Sequence, residues 1–363
     1  MKKKITIIIE DLRIGGPQKQ LVYFINSIKS SNKYNFNLLI PNDNNTFFKN
    51  EISKKIKISY FPFSIPSKKN IFKYFFFFLF ELIYLIFQLK KNKTETVYVA
   101  GGTTNFKSII AAKLLKLKII WHIHDCNTNY LIKKIFYLLF SKKIKFIFAS
   151  QKSKNYYLNK KSTKKWKVLR SSVKVNLNKK KLKKIDKSFN VGMVANINPD
   201  KNIELFIKIV EKNLNKKIQF HLFGNVWKSQ NSYYNFLLKN YKKIFSSFNW
   251  NKKVFNNFEI YKKIDLLLCT SKTESFPLSF SEALSYSIPI ITTDVGDVKK
   301  FFKSKKKFAY VIQSHKPTQF LNIINYLFKN KKIFYQNRLN AKKFAFNNLN
   351  IKNYSKEILS IFN

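Results

Sequence analysis

Acidic residues, arginine and cysteine are all scarce in this chain of 363 residues, and each scarcity closes off a class of function. Eighteen Asp and Glu stand against 70 Lys and Arg, a formal net charge of +52. Such a charge ordinarily points to nucleic acid or to an anionic membrane. Yet Arg13, Arg170 and Arg338 are the only arginines. Nearly all of the charge is lysine, which lacks the planar fork that reads phosphates and base edges bidentately. No nucleic-acid partner is therefore expected. Lysine, asparagine, isoleucine and phenylalanine are abundant together, as in a chain drawn from an AT-rich codon pool. That bias accounts for most of the charge; attraction to phosphorylated ligands or anionic lipid is a secondary benefit, and an anionic membrane surface is a candidate partner.

Cys126 and Cys269 stand alone and far apart, which excludes a disulfide framework and points to a reducing compartment. A cytoplasmic protein is expected, with peripheral placement on the inner face of the cell membrane as a variant of that reading. The histidines at 122, 124, 221 and 315 lack the neighbours of a zinc site, so no structural metal is expected. The start, "MKKKITIIIE", imitates a signal peptide by its basic residues. Its apolar run is short and ends at Glu10-Asp11, the pattern of a first buried strand.

What is present is a regular alternation. Short apolar runs, the strand candidates, fall at 4–10, 36–40, 56–61, 96–100, 118–123, 145–149, 166–169, 190–195, 217–223, 264–269, 288–292 and 308–312. Most are separated by stretches with apolar positions at helical spacing, such as Leu205, Phe206, Ile209 and Val210. That is the signature of βαβ units and parallel sheets, an α/β class. A Lys-, Ser- and Asn-rich seam at 171–189 precedes a fresh strand, "VGMVANI", and reads as a linker. It divides a Rossmann-like, acceptor-side domain at 1–170 from a second doubly wound domain at 190–340, with a C-terminal helix at 341–363 returning to the first. Ligands of such sheets bind beyond the carboxyl ends of the strands, so two facing domains predict a cleft.

The segment "IFKYFFFFLFELIYLIFQLKKNK", 71–93, is apolar over nearly the length of a bilayer span but is interrupted by Lys73, Glu81 and Gln88. Three placements fit it: a helix packed on the first sheet, which is favoured, a helix dipping one face into a membrane interface, and a true span.

The chain's few acids make "TESFPLSFSEALSYSIPIITTDVGD", 273–297, conspicuous. "DLLLCT" before it reads as a buried strand, 271–276 as the loop at its carboxyl end, and Pro277 as the first turn of a helix. Backbone N–H groups of Phe276, Leu278 and Ser279 at that helix start form a ready anion site. Glu274 stands in the loop and Glu282 inside the helix, where each carboxylate can accept two hydroxyl hydrogen bonds, as from a ribose or sugar diol.

This pattern, two glutamates separated by seven residues and followed by "IPII", "TTD" and "VG", resembles the group 1 glycosyltransferases, glycosyltransferase family 4, whose fold is GT-B: two Rossmann-like domains facing across a cleft. Other segments are similar in the same order. "DLRIGGPQKQL" resembles the glycine loop after the first strand, where Gly15 and Gly16 would leave room for donor and acceptor. "WHIHD" is similar to the strand end whose histidine faces the donor sugar, which aligns His124, beside Asp125. "VGMVANINPDKN" resembles the start of the donor domain, matching Lys201 to a diphosphate-contacting lysine, and "FHLFGN" the next strand with its loop glycine, Gly224. His122 is read as structural and placed on the opposite strand face.

Departures are as clear as matches. Asn196 stands where the family usually has arginine, Ser275 where glycine follows the first glutamate, Ser171-Ser172 at an expected Asn-Gly, and Lys300 where an acid is usual. The resemblance implies a retaining glycosyltransferase that moves a sugar from a nucleotide diphosphate sugar to a glycan or lipid-linked acceptor. His124 and Glu274 would act at the reacting sugar; Glu282 would hold the ribose, and Gly15, Gly16, Asn196, Lys201, Gly224, Phe276, Leu278 and Ser279 would line the donor site. It implies no cofactor beyond the donor and no metal, in keeping with the absence of an Asp-x-Asp motif. A GT-B sugar-nucleotide epimerase or hydrolase and a catalytically silent, membrane-apposed binding protein are the alternatives.

Overall fold

The structure, a computed structural model, describes residues 2–11, 13–28, 33–42, 45–52, 56–64, 71–158, 165–175, 188–252, 256–303 and 307–363. The chain divides into two compact units, Met1–Ser171 together with Ile351–Asn363, and Ser172–Asn350. The division falls at the start of the expected linker, most of which, 176–187, lies outside the described residues.

In the first unit the chain runs β1 (Lys3–Ile8), α1 (Gly16–Ser27), β2 (Tyr34–Pro41), α2 (Asn45–Glu51), β3 (Lys57–Phe61), α3 (Ile71–Lys91), β4 (Thr96–Gly101), α4 (Phe106–Leu114), β5 (Lys118–Ile123), α5 (Tyr130–Leu139), β6 (Lys145–Phe148), α6 (Gln151–Leu158) and β7 (Trp166–Val168). All neighbouring strands pair in parallel, in the order β3-β2-β1-β4-β5-β6-β7. Because helices cover both faces of such a sheet, its central strands must be apolar on both sides. Every residue of β4 is buried, with Val97 and Val99 in the core on one face and Tyr98 and Ala100 in the core on the other. The edge strands β3 and β7 carry exposed or half-buried residues instead.

The second unit continues with β8 (Phe189–Val194), α7 (Ile203–Glu211), β9 (Ile218–Phe223), α8 (Asn231–Tyr241), β10 (Asn249–Asn251), α9 (Asn257–Tyr261), β11 (Leu266–Cys269), α10 (Leu278–Ser285), β12 (Ile290–Thr293), α11 (Val298–Phe301), β13 (Ala309–Ile312), α12 (Pro317–Lys329) and α13 (Lys331–Asn348). Its sheet is again all parallel, in the order β10-β9-β8-β11-β12-β13. The apolar side of α7 (Leu205, Phe206, Ile209 and Val210) enters the core against Phe220 and Phe248. Full burial of a ring such as Phe206 contributes about 1.5–3 kcal/mol over leaving it in water.

Three expectations are corrected. Strand β10, "NWN", has no apolar run and escaped the periodicity; it is a three-residue edge strand held by pairing Trp250 to Leu222 of β9. The helix expected over 341–363 is two helices. The second unit runs to Asn350, where a bridge from Asn350 to Val173 interrupts the helical pattern. Only α14 (Ile351–Phe362) belongs to the first unit, where Tyr354, Ile358 and Phe362 enter the core beside Phe24 and Tyr98. Finally, among the described residues no helix is long and apolar enough to cross a membrane, which removes the spanning placement of α3.

Candidate active site

Each sheet reverses its strand order once, between β1 and β4 in the first unit and between β8 and β11 in the second. Connections on either side of such a point leave in opposite directions, so a crevice opens beyond the carboxyl ends of the two strands. The sequence-derived site residues fall largely at these ends: Gly15 and Gly16 after β1, Asn196 and Lys201 after β8, and Glu274 after β11.

In the second unit Lys201 and Glu274, far apart in sequence, form an ion pair. The Ser271 hydroxyl donates to the same carboxylate oxygen at 3.0 Å. Among the described residues the Lys201 ammonium donates to Glu274 alone, leaving two of its three N–H donors for a ligand. Burial pulls the ammonium's pKa down, but the adjacent Glu274 carboxylate outweighs it, so the value lies above the ordinary lysine range. The pair is set in place by backbone contacts. The Thr270 hydroxyl donates to the carbonyls of Lys201 and Asn202, at 3.0 and 3.1 Å, and Lys272 N–H donates to the Asp200 carbonyl at 2.7 Å.

The loop after β12 braces this arrangement. Thr293 donates its hydroxyl to the Ser271 carbonyl at 2.6 Å. Gly296 has φ +60°, and a Cβ there would lie 2.0 Å from the Ser275 carbonyl oxygen, so only glycine permits the approach. Gly224 has a similar reason: a Cβ would meet the Ala195 carbonyl oxygen at 1.9 Å. The loops after β8 and β9 therefore touch backbone to backbone, and Asn196 joins them by accepting from Asn225 N–H at 3.2 Å.

Helix α10 begins at Leu278 with Pro277 as its N-cap, one residue later than the sequence reading placed its start. The Leu278 and Ser279 N–H groups belong to its first turn, which has no intrahelical acceptors for them. The Phe276 ring points into the core among Phe280, Phe301 and Phe302, so any contact of this residue with a ligand is through its backbone. Glu282 lies farther inside than expected, only 3 % exposed. Its two carboxylate oxygens accept from the Asn257 amide and the Tyr261 hydroxyl, each at 2.8 Å, and so tie α9 to α10.

In the first unit Gly15 caps α1 with an extended backbone. A Cβ there would meet nothing nearer than Gln18 Oε1 at 3.6 Å, so the protein itself does not fill this position. His124 follows β5 and donates its N–H to the Gly101 carbonyl at the end of β4, at 2.8 Å. Desolvation lowers its pKa to about 4, leaving a neutral imidazole that can both donate and accept. Asp125 turns inward and is used by the fold, accepting from Thr103 N–H at 2.7 Å and from the Tyr157 hydroxyl.

The placement of His122 is overturned. Residues two apart on a strand share a face, and the His122 and His124 rings lie 4.1 Å apart at 31°. His122 Nδ1 is bonded to the Tyr98 hydroxyl at 2.7 Å, while its buried Nε2 has no hydrogen-bond partner among the described residues. Sequence reading also missed Thr270, Ser271, Asn257, Tyr261 and Gly296. The hydroxyl-rich run "TSKTES" was the available signal for the first two; the others act through partners distant along the chain. Among the described residues no group of three or more His, Cys, Asp or Glu side chains gathers as a metal site would require.

Residues 174–346, nearly all of the second unit, match the family profile of the glycosyl transferases group 1. By that match this unit is similar to the group 1 glycosyl transferases. No curated protein shows significant sequence similarity to the chain. The glycosyl transferase fold extends to the whole chain in solved structures. Anabaena HepE in complex with UDP-glucose shares 15% identity over 99% of both chains with a TM-score of 0.82. A glycosyltransferase from Rickettsia africae shares 14% over 99% of this chain and 98% of that one, with a TM-score of 0.77. The lipopolysaccharide outer core galactosyltransferase WaaB shares 16% over 99% of both, with a TM-score of 0.69. Two parallel Rossmann-like sheets in one chain, with these likenesses, make the fold GT-B.

Proposed function

We propose that this protein is a retaining glycosyltransferase that transfers a sugar from a nucleotide diphosphate sugar to a hydroxyl of a glycan or lipid-linked acceptor, in the building of cell-surface polysaccharide. The observation that carries the reading is the Lys201–Glu274 pair at the strand-order reversal of a unit similar to the group 1 glycosyl transferases. The cell-surface role is supported by the likeness to WaaB, named for lipopolysaccharide synthesis.

In the reaction the bond from the anomeric carbon to the diphosphate breaks and its electron pair leaves with the diphosphate. The acceptor oxygen forms the new bond on the same face and gives up its proton to the departing phosphate. Negative charge therefore grows on the diphosphate, where fixed positive groups are worth most. Lys201 and the first-turn N–H groups of α10 would supply them, so that no metal ion is required. Glu274, held by Lys201 and Ser271, would accept hydrogen bonds from donor-sugar hydroxyls and orient the anomeric carbon. Glu282 would accept hydrogen bonds from the ribose diol. His124, neutral at physiological pH, would hydrogen-bond the sugar, and the room at Gly15 and Gly16 would admit donor or acceptor. Asn196 leaves the diphosphate to lysine and backbone, because no guanidinium stands there.

A screen of nucleoside diphosphates by thermal shift, beginning with UDP, tests the donor site in wild type and Lys201→Met. A shift for one diphosphate that the variant loses supports the reading, and no shift with any of them sinks it. Release of nucleoside diphosphate from the sugar donor only when acceptor is present separates a transferase from a hydrolase or epimerase.

A further inference from the structure

We propose that the outer face of α3 is a docking surface for an anionic lipid bilayer, on which the first unit lies without crossing it. Helix α3 is built inside out. Its single acid, Glu81, points inward and pairs with the buried Lys107. That ammonium sits under the Tyr74 ring at 4.6 Å and donates to the Ser64 carbonyl at 2.9 Å, which fixes the helix's rotation on the sheet. Leu82, Leu85 and Leu89 fill the core on the same side. The opposite side carries a second apolar stripe at steps of three and four residues: Phe72, Phe76, Leu79, Phe80, Ile83 and Phe87, which are 55 to 88 % exposed.

A surface helix needs only one apolar face, and a contiguous apolar patch of this kind left in water marks an interaction site. Two helices along on the same face of the sheet, α5 adds exposed Tyr130, Leu131 and Leu138. Charge decides the occupant. The exposed side of α3 carries no acid, its end bears exposed Lys90 and Lys91, and the chain as a whole has a net charge of +52. A second copy of the chain would bring the same sign of charge to the contact, whereas an anionic membrane brings the opposite sign and an apolar interior for the phenyl rings. On this 21-residue α-helix lying flat, the stripe from Phe72 to Phe87 runs over about 22 Å.

The test is flotation of the full chain with vesicles of phosphatidylcholine alone or mixed with an equal part of phosphatidylglycerol. Wild type is expected to float with the mixed vesicles and about ten-fold less with the neutral ones. Phe76→Ser with Phe80→Ser is expected to lower partition onto mixed vesicles by about ten-fold or more while the thermal midpoint stays unchanged, because both rings are exposed. Lys90→Gln with Lys91→Gln is expected to weaken binding to mixed vesicles and leave the neutral baseline alone. Undiminished partition of the double-serine variant, or equal partition of wild type onto both vesicles, overturns the proposal. So does a lipid-free dimer, seen by light scattering, that the serine substitutions dissolve.

Discussion

The two units each hold a lysine–glutamate pair, and the pairs differ in what surrounds them. Lys107 and Glu81 are 0 and 7 % exposed, caged by Tyr74, Phe63 and Phe78 and saturated by Ser64. Lys201 and Glu274 are 24 and 15 % exposed, at strand ends among hydroxyls and backbone. The same chemistry serves architecture in one place and is left accessible in the other. A pair closed on every side can only orient the elements that carry it. A pair with donors to spare can exchange part of its bonding for a ligand's.

The largest effect that should separate them is on stability. Lys107→Met leaves Glu81 buried without its partner, with Glu10 buried close by, and is expected to destabilise the fold by about 3–5 kcal/mol in urea denaturation. An effect near that of a surface pair would show the cluster to be solvated. Lys201→Met should reverse the pattern: about 1 kcal/mol of stability, but a turnover about 10²–10³-fold lower in a donor–acceptor assay. Equal loss of stability in both variants would erase the distinction between the pairs.

A smaller effect probes the first unit by pH. The folded His124 has its pKa lowered to about 4 by desolvation, below the ordinary value of about 6.5, so the unfolded chain binds more protons in between. Its contribution is therefore fully present above about pH 6.5 and is lost as pH falls toward 4. Measured against His124→Gln, the wild type should lose up to about 3 kcal/mol more across that window, and parallel curves would exclude the effect. The smallest change is Tyr261→Phe. Removing one donor from Glu282, which keeps Asn257, should lower stability by about 1 kcal/mol and loosen α9. A much larger loss of diphosphate-induced stabilisation would show that α9 shapes the donor site.

Much of this was legible along the chain. The twelve expected strands are present in the structure, because alternation of apolar runs and helical stretches is a local pattern that sheet burial enforces residue by residue. The strand-end loops that hold Lys201 and Glu274 were locatable for the same reason. The pairing of those two residues was not: it depends on β8 and β11 becoming neighbours although β9 and β10 intervene in the sequence. Glu282 read as a free ribose ligand because its internal partners, Asn257 and Tyr261, lie more than twenty residues away. His122 was misplaced by a wrong application of strand geometry rather than by any lack of signal.

By itself the sequence determined the class of the fold, the two-unit plan and the loops at which chemistry gathers, since these follow from local periodicity and turn residues. Only the tertiary structure decided which lysine meets which glutamate, how deeply each pair is buried, and that α3 turns its acid inward and its phenylalanines out. Those are choices among partners and faces that are equivalent in a linear pattern. They become unequal only when a helix is docked on a particular sheet, because burial of an ion demands a counter-ion at that one place.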